Sequence, residues 1–111
     1  MEILHDIKEN YAILKLKGHL DLPASGLLET EVNTLISNST KNVLLDFSGV
    51  EFINSAGLRG IFISSNKLKA SGGKLILYSL HNQVKEIFTI TGFDKALTIA
   101  TSQEEAEANL S

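Results

Sequence analysis

Apolar positions along the chain recur with two different periods, one typical of strands and one typical of helices. Residues 3–7 and residues 11–17 ("YAILKLK") alternate apolar and polar side chains, which predicts two half-buried strands joined by a turn at Glu9 and Asn10. From about Pro23 the spacing becomes helical, and the polar run "SNSTKN" predicts the end of that helix.

The next two apolar runs lack this alternation. "NVLLDF" at residues 42–47 and "KLILY" at residues 74–78 are apolar almost throughout, as expected of strands covered on both faces. An amphipathic helical stripe follows each of them, and "ALTIA" predicts a short last strand. Ser102 with Glu105 forms a capping-box signature for a C-terminal helix.

The predicted order of elements is ββαβαβαβα, which indicates a single α/β domain over residues 1–111. Strands separated by helices favour right-handed parallel crossovers, and the first hairpin adds an antiparallel edge. We therefore predict a mixed sheet of four to five strands with about four helices. Leu44, Leu45, Ile76 and Phe88 are predicted to be buried.

Composition narrows the function classes. The formal net charge of −3 gives no electrostatic reason to bind nucleic acid or an anionic membrane, and the chain has no cysteine. No apolar stretch approaches the roughly 18–20 residues that span a bilayer, and the N-terminus lacks the pattern of a signal peptide. A cytoplasmic monomer without membrane insertion or direct nucleic-acid contact is expected. His5, His19 and His81 lie far apart in sequence, so no metal site is predicted.

The stretch "FINSAGLRG" at residues 52–60 joins an apolar run to an amphipathic helix. Asn54 and Ser55 are both favoured helix N-caps, so either can satisfy the first free N–H groups of that helix. If Asn54 is the cap, Ser55 occupies the first helical position with its hydroxyl free. A catalytic serine is not indicated, because Ile53 stands where a nucleophile elbow requires glycine. No phosphate-binding glycine motif occurs either, so we predict neither an enzyme nor a cofactor.

The central segment resembles STAS domains, and specifically the bacterial anti-sigma factor antagonists. The resemblance is carried by Asp46-Phe47-Ser48-Gly49-Val50, by Asn54-Ser55-Ala56-Gly57-Leu58, and by "KGHLDLPAS", which places Asp21 at the acidic position of the family. "ASGGKL" and the C-terminal segment from Val84 also match, so the resemblance spans most of the chain.

The resemblance implies a regulator that works by exchanging partners. In the family, an anti-sigma factor serine kinase phosphorylates the serine that follows the acidic residue, the unphosphorylated antagonist binds that kinase and frees a sigma factor, and a serine phosphatase resets the switch. By motif position the phosphorylated residue is Ser55. The implied partner-binding residues are Asp21, Asn54, Ser55, Ala56, Gly57 and Leu58.

One residue departs from the family pattern, which usually has Asp where this chain has Asn54. Asn caps a helix as well as Asp does, but it removes a negative charge beside Ser55. Asp21 has two interpretations, as support for the phosphorylated loop or as a plain helix-starting carboxylate. Arg59 adds a cation within one turn of Ser55, although its ordinary role would be that of a solvated residue. An alternative function is a STAS module that never carries phosphate and serves as a structural subunit of a lipid-transport or signalling assembly.

Overall fold

A computed structural model describes residues 1–110, which form five strands and five helices. The elements in chain order are β1 (Glu2–Ile7), β2 (Tyr11–Leu20), α1 (Leu22–Ser37), β3 (Asn42–Ile53), α2 (Ser55–Ala70), β4 (Lys74–Tyr78), α3 (Asn82–Thr91), α4 (Phe93–Ala96), β5 (Thr98–Ala100) and α5 (Gln103–Ala108). This is the predicted α/β order with one short additional helix, α4. None of the helices in the described part of the chain is long and apolar enough to cross a membrane.

The five strands form one mixed sheet in the order β1-β2-β3-β4-β5. β1 pairs antiparallel with β2, as the predicted hairpin requires, and the other neighbours pair parallel. β3 is therefore the central strand, with Leu45 in register with Leu14 on β2 and Leu77 on β4. All three side chains are fully buried, which accounts for the unbroken apolar runs in the sequence.

The sheet separates two apolar clusters. The larger one packs beneath α1, α2 and α3 and includes Leu45, Phe47 and Phe88, whose two rings meet edge to face with centroids 6.0 Å apart. The smaller one lies on the opposite face and includes Leu44 and Ile76, with Ala106 of α5 packed against them. The four side chains predicted to be buried, Leu44, Leu45, Ile76 and Phe88, are at most 1% exposed.

Two strands extend further than the sequence pattern indicates. β2 continues to Leu20 and β3 to Ile53, and their pairing is kept across two register shifts between Lys15 and His19. Gly18 accommodates the irregular stretch with φ of +116°, a conformation that glycine adopts without strain. Because of this extension, the two strands end side by side, and the helices that follow them begin side by side.

Candidate partner-binding site

The candidate site lies at the carboxyl ends of β2 and β3. Leu20 and Ile53 are the last residues of these parallel neighbours and lie in register with one another. The backbone N–H of Asn54 donates a hydrogen bond to the carbonyl oxygen of Leu20 at 3.3 Å. Asp21 and Asn54 therefore occupy equivalent positions after adjacent strands, at the edge of the sheet where α/β folds commonly place functional groups.

Both of these residues are helix N-caps. A carboxylate oxygen of Asp21 accepts a hydrogen bond from the N–H of Ala24 at 3.1 Å, and the Asn54 side-chain oxygen accepts one from the N–H of Gly57 at 3.0 Å. Each cap satisfies one of the N–H groups that have no partner within the helix. For Asp21 the interpretation as a helix-starting carboxylate is confirmed. Its contribution to partner binding stays a prediction.

Ser55 is the first residue of α2 and is exposed. Because Asn54 supplies the cap, the Ser55 hydroxyl is left free, with no hydrogen-bond partner among residues 1–110. The backbone places this hydroxyl at the positive end of the helix dipole, where added negative charge is favourable. The ambiguity between two adjacent cap-forming residues is thus resolved in favour of Asn54 as the cap and Ser55 as the free hydroxyl.

A groove of about 360 Å³ runs between α1 and α2 and passes Ser55. The residues that line it are Leu22, Ser25 and Glu29 from α1, and Ser55, Ala56, Arg59, Gly60 and Ile63 from α2. Leu22 is 71% exposed although it is a large apolar residue, so a hydrophobic surface stands beside the free hydroxyl. The motif did not predict the α1 side of this groove, because the exposure of Leu22 is known only from the structure.

Gly57 and Leu58 do not lie on this surface. Leu58 is 4% exposed and belongs to the larger apolar cluster, and Gly57 is also buried. A Cβ atom added at Gly57 would stand 2.0 Å from the carbonyl oxygen of Leu20. The two residues predicted to contact a partner thus serve internal packing in this conformation, and the absence of a side chain at Gly57 lets α2 start directly against the end of β2.

Charges in the groove are arranged asymmetrically. Glu29 has two partners, because it accepts a hydrogen bond from the Ser25 hydroxyl at 3.3 Å and lies 3.9 Å from the ammonium nitrogen of Lys67. Arg59, by contrast, is exposed and makes no ion pair or hydrogen bond through its side chain within residues 1–110. In the described part of the chain, the groove therefore offers one unpaired cation within a helical turn of Ser55.

The histidines and the shifted pKa values lie outside the groove. Nε2 of His81 is 2.7 Å from the carbonyl oxygen of Ser48, and His19 makes a tilted ring contact with Phe52. Burial and, secondarily, the nearby Asp46 raise the pKa of Tyr78 to about 12 on the opposite face of the sheet. Within residues 1–110 no three potential ligands of the His, Cys, Asp or Glu type come together as a metal site.

Comparison with known proteins identifies the family of this chain. The family model described as "STAS domain" matches residues 2–106. This chain belongs to the STAS domain family. It is 31% identical over 108 residues to "Putative anti-sigma factor antagonist BtrV" of Bordetella bronchiseptica, an alignment that covers 97% of this chain and 93% of BtrV. The resemblance to the anti-sigma factor antagonists is thereby confirmed.

Solved structures show the same fold. The crystal structure of an anti-sigma factor antagonist from Mycobacterium paratuberculosis superposes with a TM-score of 0.86 at 20% identity, covering 98% of this chain and 92% of that one. The Bacillus cell fate determinant SpoIIAA in its phosphorylated form superposes with a TM-score of 0.74 at 20% identity, covering 99% of this chain and all of the other. The chain therefore shares its overall fold with these two proteins.

Proposed function

We propose that this STAS protein is an anti-sigma factor antagonist that exchanges partners according to the phosphorylation of Ser55. Its partners are an anti-sigma factor serine kinase, which it binds when unphosphorylated so that a sigma factor is released, and a serine phosphatase that resets it. The observation that carries the proposal is the exposed hydroxyl of Ser55 at the start of α2, which has no hydrogen-bond partner within the described residues. Because the exchange uses ATP and acts on transcription, it takes place in the cytoplasm.

The phosphoryl transfer requires nothing from this chain beyond an accessible hydroxyl. The Ser55 oxygen attacks the γ-phosphorus of ATP, and the bond between that phosphorus and the β-γ bridging oxygen breaks, so that ADP leaves. A base of the kinase takes the hydroxyl proton. The phosphatase then adds water across the phosphoester, which restores the hydroxyl and releases inorganic phosphate. Asn54 places no carboxylate beside the oxygen, so in this proposal the base is a residue of the kinase.

The groove explains how strongly phosphorylation of Ser55 should weaken the binding of a partner. A partner that packs over Leu22, Ala56 and Ile63 covers Ser55 as well, since these residues line one continuous surface. Phosphorylation adds about −1.5 to −2 charges at neutral pH. The free domain tolerates this charge at a helix N-terminus, but a complex that buries it without a counterion loses several kcal/mol. A loss of roughly 3–4 kcal/mol weakens binding by two to three orders of magnitude.

Incubation with ATP, with and without a candidate kinase from the same genome, tests the proposal. Mass spectrometry should find one phosphate, on Ser55, only when the kinase is present, and Ser55→Ala should abolish it. Phosphorylation of Ser55→Ala at the wild-type rate would refute the assignment. Tight binding of a partner without any phosphate transfer would instead support the alternative of a STAS module that is a structural subunit and never carries phosphate, an alternative kept open by Asn54.

A further inference from the structure

We propose that Arg59 is the counterion of the phosphate on Ser55 and holds that phosphate against the surface of α2 in the free protein. The inference rests on the proposed phosphorylation of Ser55 and adds to it a residue that sets the properties of the phosphorylated state. It starts from two observations: Ser55 and Arg59 line the same groove, and Arg59 has no partner among residues 1–110.

The spacing of the two residues suits a direct contact. Ser55 and Arg59 are four residues apart on α2, so their side chains lie on the same face of the helix, with Cβ atoms about 5–6 Å apart. The acceptor would precede the cation along the chain, which is the favourable order for ion pairs on a helix. The reach of the guanidinium exceeds this gap, so contact requires no backbone movement.

The neighbouring groups leave Arg59 available for this role. Glu29, the acid that lines the same groove, is engaged by the Ser25 hydroxyl and by Lys67 on the side chain's two oxygens. Asp21, the cap of the adjacent helix, is engaged by the N–H of Ala24. Arg59 is therefore a cation of the groove that has no anionic partner within residues 1–110, and phosphorylation of Ser55 supplies one.

The chemistry of the pair favours arginine. A phosphoserine offers three acceptor oxygens, and a guanidinium presents a planar fork of N–H donors that binds two of them at once. Asp21 and Glu29 make the second ionisation of the phosphate less favourable, whereas Arg59 and the N–H groups at the start of α2 make it more favourable. Replacing Arg59 removes its favourable contribution and leaves the contributions of the N–H groups, Asp21 and Glu29 in place.

The test uses the full chain with phosphoserine incorporated genetically at position 55, so it needs no kinase. The second pKa of the phosphate is followed by ³¹P NMR in the wild type, in Arg59→Gln and in Arg59→Lys. Arg59→Gln should raise that pKa by about 0.2–0.4, as expected for loss of a surface ion pair. Arg59→Lys should restore part of the shift, and about 1 M salt should shrink the difference because the pair is exposed.

Lys85→Gln is the matched control. Lys85 is an exposed lysine of α3 that lies outside the groove and likewise forms no ion pair in the described chain, so its loss changes the net charge equally. The phosphate pKa should stay within about 0.1 of the wild type in this variant. The inference is overturned if Arg59→Gln leaves the pKa unchanged, or if Lys85→Gln shifts it equally. Failure of Ser55 to accept phosphate from any kinase would refute the proposed function, and the ³¹P measurement distinguishes the two failures.

Discussion

Replacing Asn54 separates the structural role of this residue from its effect on the charge beside Ser55. Asn54→Ala removes the side-chain oxygen that accepts the hydrogen bond from the N–H of Gly57 at 3.0 Å. Loss of an N-cap of this kind costs about 1 kcal/mol, within a range of about 0.5–2. Asn54→Asp keeps the acceptor and adds a negative charge at the helix N-terminus. Its free energy of unfolding should therefore be at least that of the wild type, with a gain of up to about 0.3–1 kcal/mol at low salt.

Urea denaturation followed by circular dichroism measures these differences. The midpoint should fall for Asn54→Ala at an unchanged slope, because the surface exposed on unfolding is the same. Asn66→Ala is the control: Asn66 is an exposed residue within α2, and its replacement should cause no loss because alanine favours the helix interior. Equal stability of Asn54→Ala and wild type, or equal losses in the Ala and Asp variants, would show that Asn54 is not the cap that frees the Ser55 hydroxyl.

Three further predictions concern packing and pH. Leu45→Ala should cost about 2–5 kcal/mol in chemical denaturation because Leu45 is fully buried on the central strand, and a loss below about 1 kcal/mol would contradict that placement. Gly57→Ala should cost about 1–3 kcal/mol because its Cβ would meet the Leu20 carbonyl oxygen at 2.0 Å, whereas Gly26→Ala, with nothing within 4 Å on α1, should stabilise the protein slightly. The pKa of Tyr78 is raised from 10.0 to about 12, so the folded state holds the phenolic proton more tightly than the unfolded state does. The stability that this difference contributes is present below pH 10 and is lost as the pH rises towards 12. Denaturation curves at alkaline pH should show that Tyr78→Phe lacks this part of the loss.

The order of elements could be predicted because each element has a clear apolar period, but the ends of the strands could not. Residues 42–47 are apolar on both faces, so the pattern marks them, whereas the rest of β3 contains exposed Ser48 and Glu51 among buried Val50 and Ile53. That outer half of the strand is covered by helices on one face only, and the polar residues on its other face break the apolar run. α4 has four residues, too few for a helical period to be visible.

The chemistry of the site was visible in the sequence, while its shape was not. The motif placed Ser55 at a helix start, but Asn54 and Ser55 have similar capping preferences, and only the backbone distinguishes them. The groove requires α1 and α2 to begin side by side, which follows because Leu20 and Ile53, the last residues of β2 and β3, lie in register. Local sequence carries no signal for that alignment, so the α1 wall formed by Leu22, Ser25 and Glu29 was not predicted.

The affinity of this protein for the kinase that phosphorylates it should differ between its unphosphorylated and phosphorylated forms, and this difference is the sharpest test of the proposed switch. Isothermal titration calorimetry, with ADP in place of ATP, would use the unphosphorylated chain and the chain carrying phosphoserine at Ser55, with Ser55→Ala as the control that keeps the surface uncharged. We predict tight binding of the unphosphorylated chain and of Ser55→Ala, and binding of the phosphorylated chain that is weaker by two to three orders of magnitude. Equal affinities for the phosphorylated and unphosphorylated chains would contradict this prediction.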